Sequence, residues 1–229
     1  FSFNEELSFS PASMRKVPML IAILKQAERV PDLLAREVVA DLAQDHNDRQ
    51  NFKPAEPVRL GRRYPVGDLL TRMIVQSDNN AFMLLSQLVD PEELGRVYGL
   101  LSMRPPSTSG GDEHSVLTYA AFFRILYNGT YLSKEMSDLA LEQLAASEFR
   151  AGLRAGVPEI VPVAHKFGER SDASGMKQLH DCGIVYYTRH PYLLCVMTRG
   201  ADFAALADAI ATISRTVFEE IDAQHRAGR

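Results

Sequence analysis

Little in this chain could hold a metal, a nucleic acid or a bilayer. Only two cysteines occur in 229 residues, and Cys182 and Cys195 match neither a CxxC zinc pair nor a redox motif. Both fall on neighbouring predicted strands, where they read as two buried free thiols rather than a disulfide. Six histidines are scattered without HExxH or comparable ligand spacing, so neither a metal nor a cofactor is expected. No basic run appears and the formal net charge is -4, which argues against a partner held through its phosphates. Nucleic acid is therefore not an expected ligand. No apolar stretch approaches membrane-span length, and no signal peptide precedes Phe1. An opening at Phe1 without an initiator Met reads as a mature or trimmed chain, so the missing signal leaves the compartment open.

What is present is ordinary globular composition, 46% hydrophobic and 24% charged. The length suits one large domain, or a domain with an inserted lobe, and a core that needs no staples. Ser10 and Pro11 predict a helix start, and Val17 to Ala27 is apolar almost all round, the mark of a central helix. Pro18 crowds the Met14 carbonyl, so a tight or irregular first turn is expected around Ser13. Leu33, Leu34, Val38, Val39 and Leu42 predict a helix over 32–44, and Asp45 to Arg63 reads as a polar linker. Helical spacing returns over 66–75, 80–89, 116–128 and 133–146, and a breaker cluster over 104–112 predicts a surface loop. From Val161 the pattern turns to strands: 161–168, then a hairpin from Ile184–Tyr187 and Tyr192–Met197. Phe203, Leu206, Ile210, Ile213, Val217 and Ile221 close the chain as an amphipathic helix. The fold class expected is α+β, with a helical subdomain within 31–150 and strands plus a covering helix over 157–229.

Three short motifs carry chemistry. Ser13-Met14-Arg15-Lys16 puts a hydroxyl and an amine on one helix face, and a desolvated lysine can take the serine proton. A second match, Ser174 to Lys177, lies in a polar loop where nothing would desolvate its lysine. Ser77-Asp78-Asn79 joins two predicted helices; it offers a proton relay and an amide, or simply a helix cap. Lys166-Phe167-Gly168 lies on a strand, where alternation separates Lys166 from His165 and Gly168 permits close approach of a ligand.

In that order the set resembles the penicillin-recognising serine enzymes, in particular the class A β-lactamase-like family, whose motifs are SxxK, SDN and KTG. Phe9 to Pro18, Leu70 to Ala81 and Asp181 to Gly200 resemble its active-serine helix, second-motif helices and last two strands. The resemblance implies an antiparallel sheet flanked by helices and an acyl-enzyme on Ser13. It assigns Lys16 as base, Ser77 as proton relay to the leaving nitrogen, and Asn79 as a substrate contact. Lys166, with Phe167 and Gly168, would line the substrate carboxylate, and the N–H groups of Ser13 and Glu169 would form the oxyanion hole. The implied ligand is a small β-lactam or a cell-wall peptide, met outside the cytoplasm.

Three departures stand out. Phe167 replaces the hydroxyl residue of the third motif, leaving Arg170 or Ser171 as stand-ins. The E-x-x-L-N signature that positions a deacylating water is missing between Pro91 and Thr118, where the acids are Glu92, Glu93, Asp112 and Glu113. Slow deacylation follows as an expectation. Only nine residues precede Ser10, too few for the family's two leading strands. A D-alanyl-D-alanine peptidase shares the acylation step, and a non-catalytic binding or sensor module is the rival of another class.

Overall fold

Pro18 shapes the start of the fold. In the computed structural model, which describes residues 1–103 and 113–227, strand β1 (Ser8–Phe9) runs into a 3-10 turn over Ala12–Arg15 and then α1 (Lys16–Ala27). The tight turn expected around Ser13 is present. Pro18 has no N–H for the Met14 carbonyl four residues earlier, and the Tyr119 hydroxyl donates to that carbonyl instead. Ser10 does not cap the helix. It is buried, its N–H donates to Gln178 Oε1 at 3.2 Å, and its hydroxyl accepts from Arg170 at 3.0 Å.

The helix expected over 32–44 is absent. Residues 31–35 form a turn, and β2 (Glu37–Val39) pairs antiparallel with β3 (Arg63–Pro65). Val38 and Val39 are β-branched, and the 62–67 segment supplies the backbone partners that override the leucine spacing. Next come α2 (Val66–Val75) and α3 (Asn79–Ser86). Val66, Leu69, Leu70, Met73 and Ile74 bury one face of α2 at the helical period. Helix α4 (Pro91–Gly99), which the sequence reading did not mark, begins with Pro91 at its first position and Asp90 as its cap. The loop expected over 104–112 lies outside the described residues.

Strand β4 (His114–Ser115) pairs with β1, and α5 (Val116–Asn128) is capped by Ser115 and closed by Gly129 in the left-handed region. Helix α6 (Lys134–Ala145) follows. The main sheet is β5 (Val163–Ser171), β6 (Lys177–Val185) and β7 (Tyr192–Gly200), in that order and antiparallel throughout. Helix α7 (Phe203–Arg226) closes the described chain.

Alternation along the sheet divides the core. Ala164, Cys182 and Ile184 pack with α1, α2 and α5 through Leu20, Leu69 and Phe122. Val163, Phe167 and Leu179 pack against α7 through Leu206, Ala207 and Ile210. Each fully buried aliphatic side chain contributes roughly 2 kcal/mol. Cys182 and Cys195 face each other in register across β6 and β7 and are joined in a disulfide. The free-thiol expectation is corrected on this point: directly opposed strand positions bring the two side chains within bonding reach.

Candidate active site

Ser13 sits in the 3-10 turn, half-exposed, directly after Ala12, whose φ of 48° lies in the left-handed region. Such backbone strain is held by surrounding structure and is common where a side chain must be presented. Lys16 occupies the first turn of α1, so its side chain reaches back over Ser13. Its ammonium is buried and touches four oxygens: Ser13 Oγ at 3.2 Å, Ser77 O at 2.6 Å, Ser77 Oγ at 3.1 Å and Asn79 Oδ1 at 2.8 Å. Burial holds its pKa well below the ordinary lysine range, and the nearby Lys166 pushes the same way.

The second motif divides its labour. Asp78 is the cap, its side chain accepting from Asn80 N and Ala81 N of α3. It also accepts from Val58 N at 2.6 Å and Asn47 Nδ2 at 3.0 Å. That frees its neighbours on either side for the cleft. Ser77, fully buried with a φ of 57°, places its hydroxyl between two ammonium groups, Lys16 at 3.1 Å and Lys166 at 2.8 Å. Asn79 gives its oxygen to Lys16 and donates through Nδ2 to His46 O at 3.1 Å.

The third motif comes from β5. Lys166 is completely buried, and burial brings its pKa down to about 7 while Asp181 and Glu169 oppose the shift. Phe167 turns to the opposite face, where its ring stacks on Phe149 at 4.1 Å. Gly168 lets β5 lie against the active-serine turn: a Cβ there would fall 2.5 Å from Pro11 O and 3.1 Å from Met14 N. The close approach expected of a ligand is thus made, in part, by the chain itself. Glu169 follows, its side chain accepting from Phe52 N at 2.9 Å.

The structure therefore brings Ser13, Lys16, Ser77, Asn79 and Lys166 into one hydrogen-bonded cluster, with Gly168 beside the serine turn. The accidental SxxK is different in kind. Ser174 lies exposed in a turn bonded to Asp172, and Lys177 lies over the Phe203 ring at 5.4 Å. Arg170 is bonded to Ser10, away from the stand-in role. Among the acids considered for deacylation, Glu93 is tied to Arg29, Arg96 and Tyr131, Glu92 and Glu113 are exposed, and Asp112 lies outside the described residues.

Sequence reasoning missed the contribution of the irregular stretch after β2. Asn47 accepts from Asn79 N at 2.7 Å, Gln50 Nε2 donates to Ser77 O at 2.9 Å, and Phe52 covers Phe167 edge-on at 5.7 Å. No spacing marks such residues, because a loop that wraps a site has no period to read.

Solved structures share this architecture. A β-lactamase from Sphaerobacter thermophilus matches with a TM-score of 0.79 and 22% identity, over 96% of this chain and 86% of that one. A class A β-lactamase from Bacteroides cellulosilyticus gives 0.80 and 19%, over 96% and 87%. An acyl-enzyme complex of a PBP-A variant with penicillin G gives 0.74 and 19%, over 97% and 85%. At these identities the likeness establishes the fold. No curated protein sequence matches the chain. A model of the beta-lactamase enzyme family, however, matches residues 1–221 of the 229, and the chain belongs to that family.

Proposed function

We propose that the chain is a serine hydrolase that reacts through an acyl-enzyme on Ser13, with a β-lactam or related amide as acyl donor. One observation carries the reading: the buried Lys16 amine lies 3.2 Å from the Ser13 hydroxyl in surroundings that favour its neutral form. A neutral amine has two N–H groups and one lone pair. Ser77 O and Asn79 Oδ1, at 2.6 and 2.8 Å, accept only, and they match the two N–H groups. The lone pair is left for a hydroxyl proton.

In the proposed reaction Lys16 takes the Ser13 proton as Oγ bonds to the substrate carbonyl carbon. The N–H groups of Ser13 and Glu169 receive the oxyanion. As the carbon–nitrogen bond breaks, Ser77 gives its proton to the leaving nitrogen and regains one from Lys16. Lys166 steadies the Ser77 hydroxyl, and the second Nδ2 hydrogen of Asn79 is the one offered to a substrate carbonyl. Release of the acyl group needs an activated water. Among the described residues Glu92 and Glu113 are exposed and Glu93 is held in ion pairs, and the E-x-x-L-N signature is missing, so the acyl-enzyme is expected to persist. The same features suit a D-alanyl-D-alanine peptidase, whose acylation step is shared. The disulfide between Cys182 and Cys195 favours an extracytoplasmic setting, since such bonds persist in oxidising compartments.

The test is the pH dependence of acylation. The base must be neutral, so the rate should be high above its pKa and fall as pH drops through it. Burial holds Lys16 well below the ordinary lysine value of 10.5, so the falling limb should lie well below that value. A rate that rises only near the ordinary lysine range contradicts the lysine-base mechanism.

A further inference from the structure

We infer that residues 46–52 form a strap that positions Ser77 for its proton relay, with the Glu169 side chain as the strap's anchor on β5 and Gln50 as its contact with Ser77. The inference rests on the acyl-enzyme reading and adds two positioning side chains to it.

The strap has no helix or strand of its own, so its place is set by what holds it. Its first half is tied to the start of α3. His46 N donates to Asn80 Oδ1 at 2.8 Å, Asn79 N donates to Asn47 Oδ1 at 2.7 Å, and Asn79 Nδ2 donates to His46 O at 3.1 Å. Its second half crosses to the sheet. Phe52 N donates to Glu169 Oε1 at 2.9 Å, and the Asn51 N–H meets the same carboxylate. One short segment thus joins the second motif to the third.

Gln50 lies between the two anchorages. Its Nε2 donates to Ser77 O at 2.9 Å, the carbonyl that also accepts from Lys16 at 2.6 Å. Ser77 has a φ of 57°, a conformation that a residue with a Cβ keeps only where its surroundings impose it. The two donors fix that carbonyl, and with it the hydroxyl between Lys16 and Lys166.

Gln50 does not hold the strap down by itself. Its Oε1 is buried with no hydrogen-bond partner among the described residues, which is unfavourable. The Phe52 ring packs on Phe149 and Phe203, but apolar contact has no direction. The Glu169 carboxylate does: it fixes the rotation of the two peptides that follow Gln50. Burial raises the Glu169 pKa while the Phe52 and Asn51 N–H groups lower it, so the strap itself supports the charge that anchors it.

Glu169→Ala, Glu169→Gln and Gln50→Ala test the inference in two assays. Intact-protein mass spectrometry gives the rate of Ser13 acylation by benzylpenicillin, and hydrogen exchange reports on residues 46–52. Burial lowers the pKa of both site lysines and the Glu169 charge opposes it, so losing that charge moves the falling limb to lower pH. Rates are therefore compared on the high-pH plateau. Glu169→Ala should slow acylation about tenfold and speed exchange at Asn51 and Phe52. Glu169→Gln keeps an acceptor for the strap and should stay within about threefold of wild type. Gln50→Ala should lose about as much as Glu169→Ala, and the double alanine variant should lose no more than either, because both act through one contact. The backbone N–H of residue 169 survives every change.

Unchanged exchange in Glu169→Ala, a wild-type rate in Gln50→Ala, or a glutamine variant as slow as the alanine one overturns the inference. So does a double variant in which the losses multiply to about a hundredfold. If Glu169→Ala melts early, Gln50→Ala and Glu169→Gln still decide it. A fluorophosphonate, which labels an activated serine whatever its natural donor, separates the two levels of the claim. With wild-type Ser13 labelled, those outcomes strike the strap alone. Absence of Ser13 labelling by either reagent overturns the acyl-enzyme reading and the positioning role with it.

Discussion

Replacing Lys16 with methionine is expected to slow acylation of Ser13 by about a thousandfold while leaving the chain folded. A positioned general base contributes roughly 10²–10⁴ in rate, and Lys16 is the basic side chain bonded directly to the Ser13 hydroxyl. Methionine keeps the length and apolar bulk of the stem, so the packing around α1 survives. The substitution strands two acceptors, Ser77 O and Asn79 Oδ1, of which Ser77 O keeps its bond from Gln50. Against that, it removes an amine whose ionised form burial disfavours. The two effects oppose each other, and the melting temperature should move little. Time courses of adduct formation, run beside thermal melts, measure both quantities. A rate loss smaller than about tenfold in a folded variant would assign the base elsewhere, Lys166 being the next candidate.

Asp78→Ala should produce the largest loss of stability among single changes near the cleft, about 3–5 kcal/mol. The carboxylate is fully buried and accepts from Asn80 N at 2.7 Å, Ala81 N at 3.1 Å, Val58 N at 2.6 Å and Asn47 Nδ2 at 3.0 Å. Alanine leaves those donors facing a small void and removes the cap of α3. Asp78→Asn should cost about half as much, because one amide oxygen still accepts while the new NH₂ opposes a donor. Urea unfolding of both variants checks the order and the size. Since Asp78 holds Ser77 and Asn79 on either side of it, acylation should fall as well, even where enough chain stays folded to assay. An alanine variant within about 1 kcal/mol of wild type would mean that the α3 start is held by something other than this cap.

Much of this arrangement is legible in the sequence because its parts are local. Ser13 and Lys16 meet because three residues separate them on a helical turn, and Pro18 announces the irregular turn that presents the serine. The spacing of Val66, Leu69, Leu70, Met73 and Ile74 predicts α2 to the residue. Other parts depend on partners far along the chain. Val38 and Val39 become a strand because Arg63–Pro65 lies beside them, and no window around residue 38 contains that fact. The disulfide depends on β6 and β7 pairing with Cys182 opposite Cys195, a register that two isolated cysteines do not reveal. Phe167 reads in sequence as one missing hydrogen bond. In three dimensions it joins a ring cluster centred on Phe52 and assembled from residues 52, 149, 167 and 203, and only the fold could bring those four together.

The central claim is that Ser13 forms a long-lived acyl-enzyme, and intact-protein mass spectrometry tests it most directly. The chain and its Ser13→Ala variant are each incubated with benzylpenicillin, and mass and free compound are followed together. The account predicts an added mass equal to the whole β-lactam on the parent chain, persisting after the free compound is removed, and none on the variant. Consumption of the compound without a lasting adduct would contradict slow deacylation and require a base for water. An adduct that survives Ser13→Ala, or neither adduct nor consumption, would contradict the claim itself.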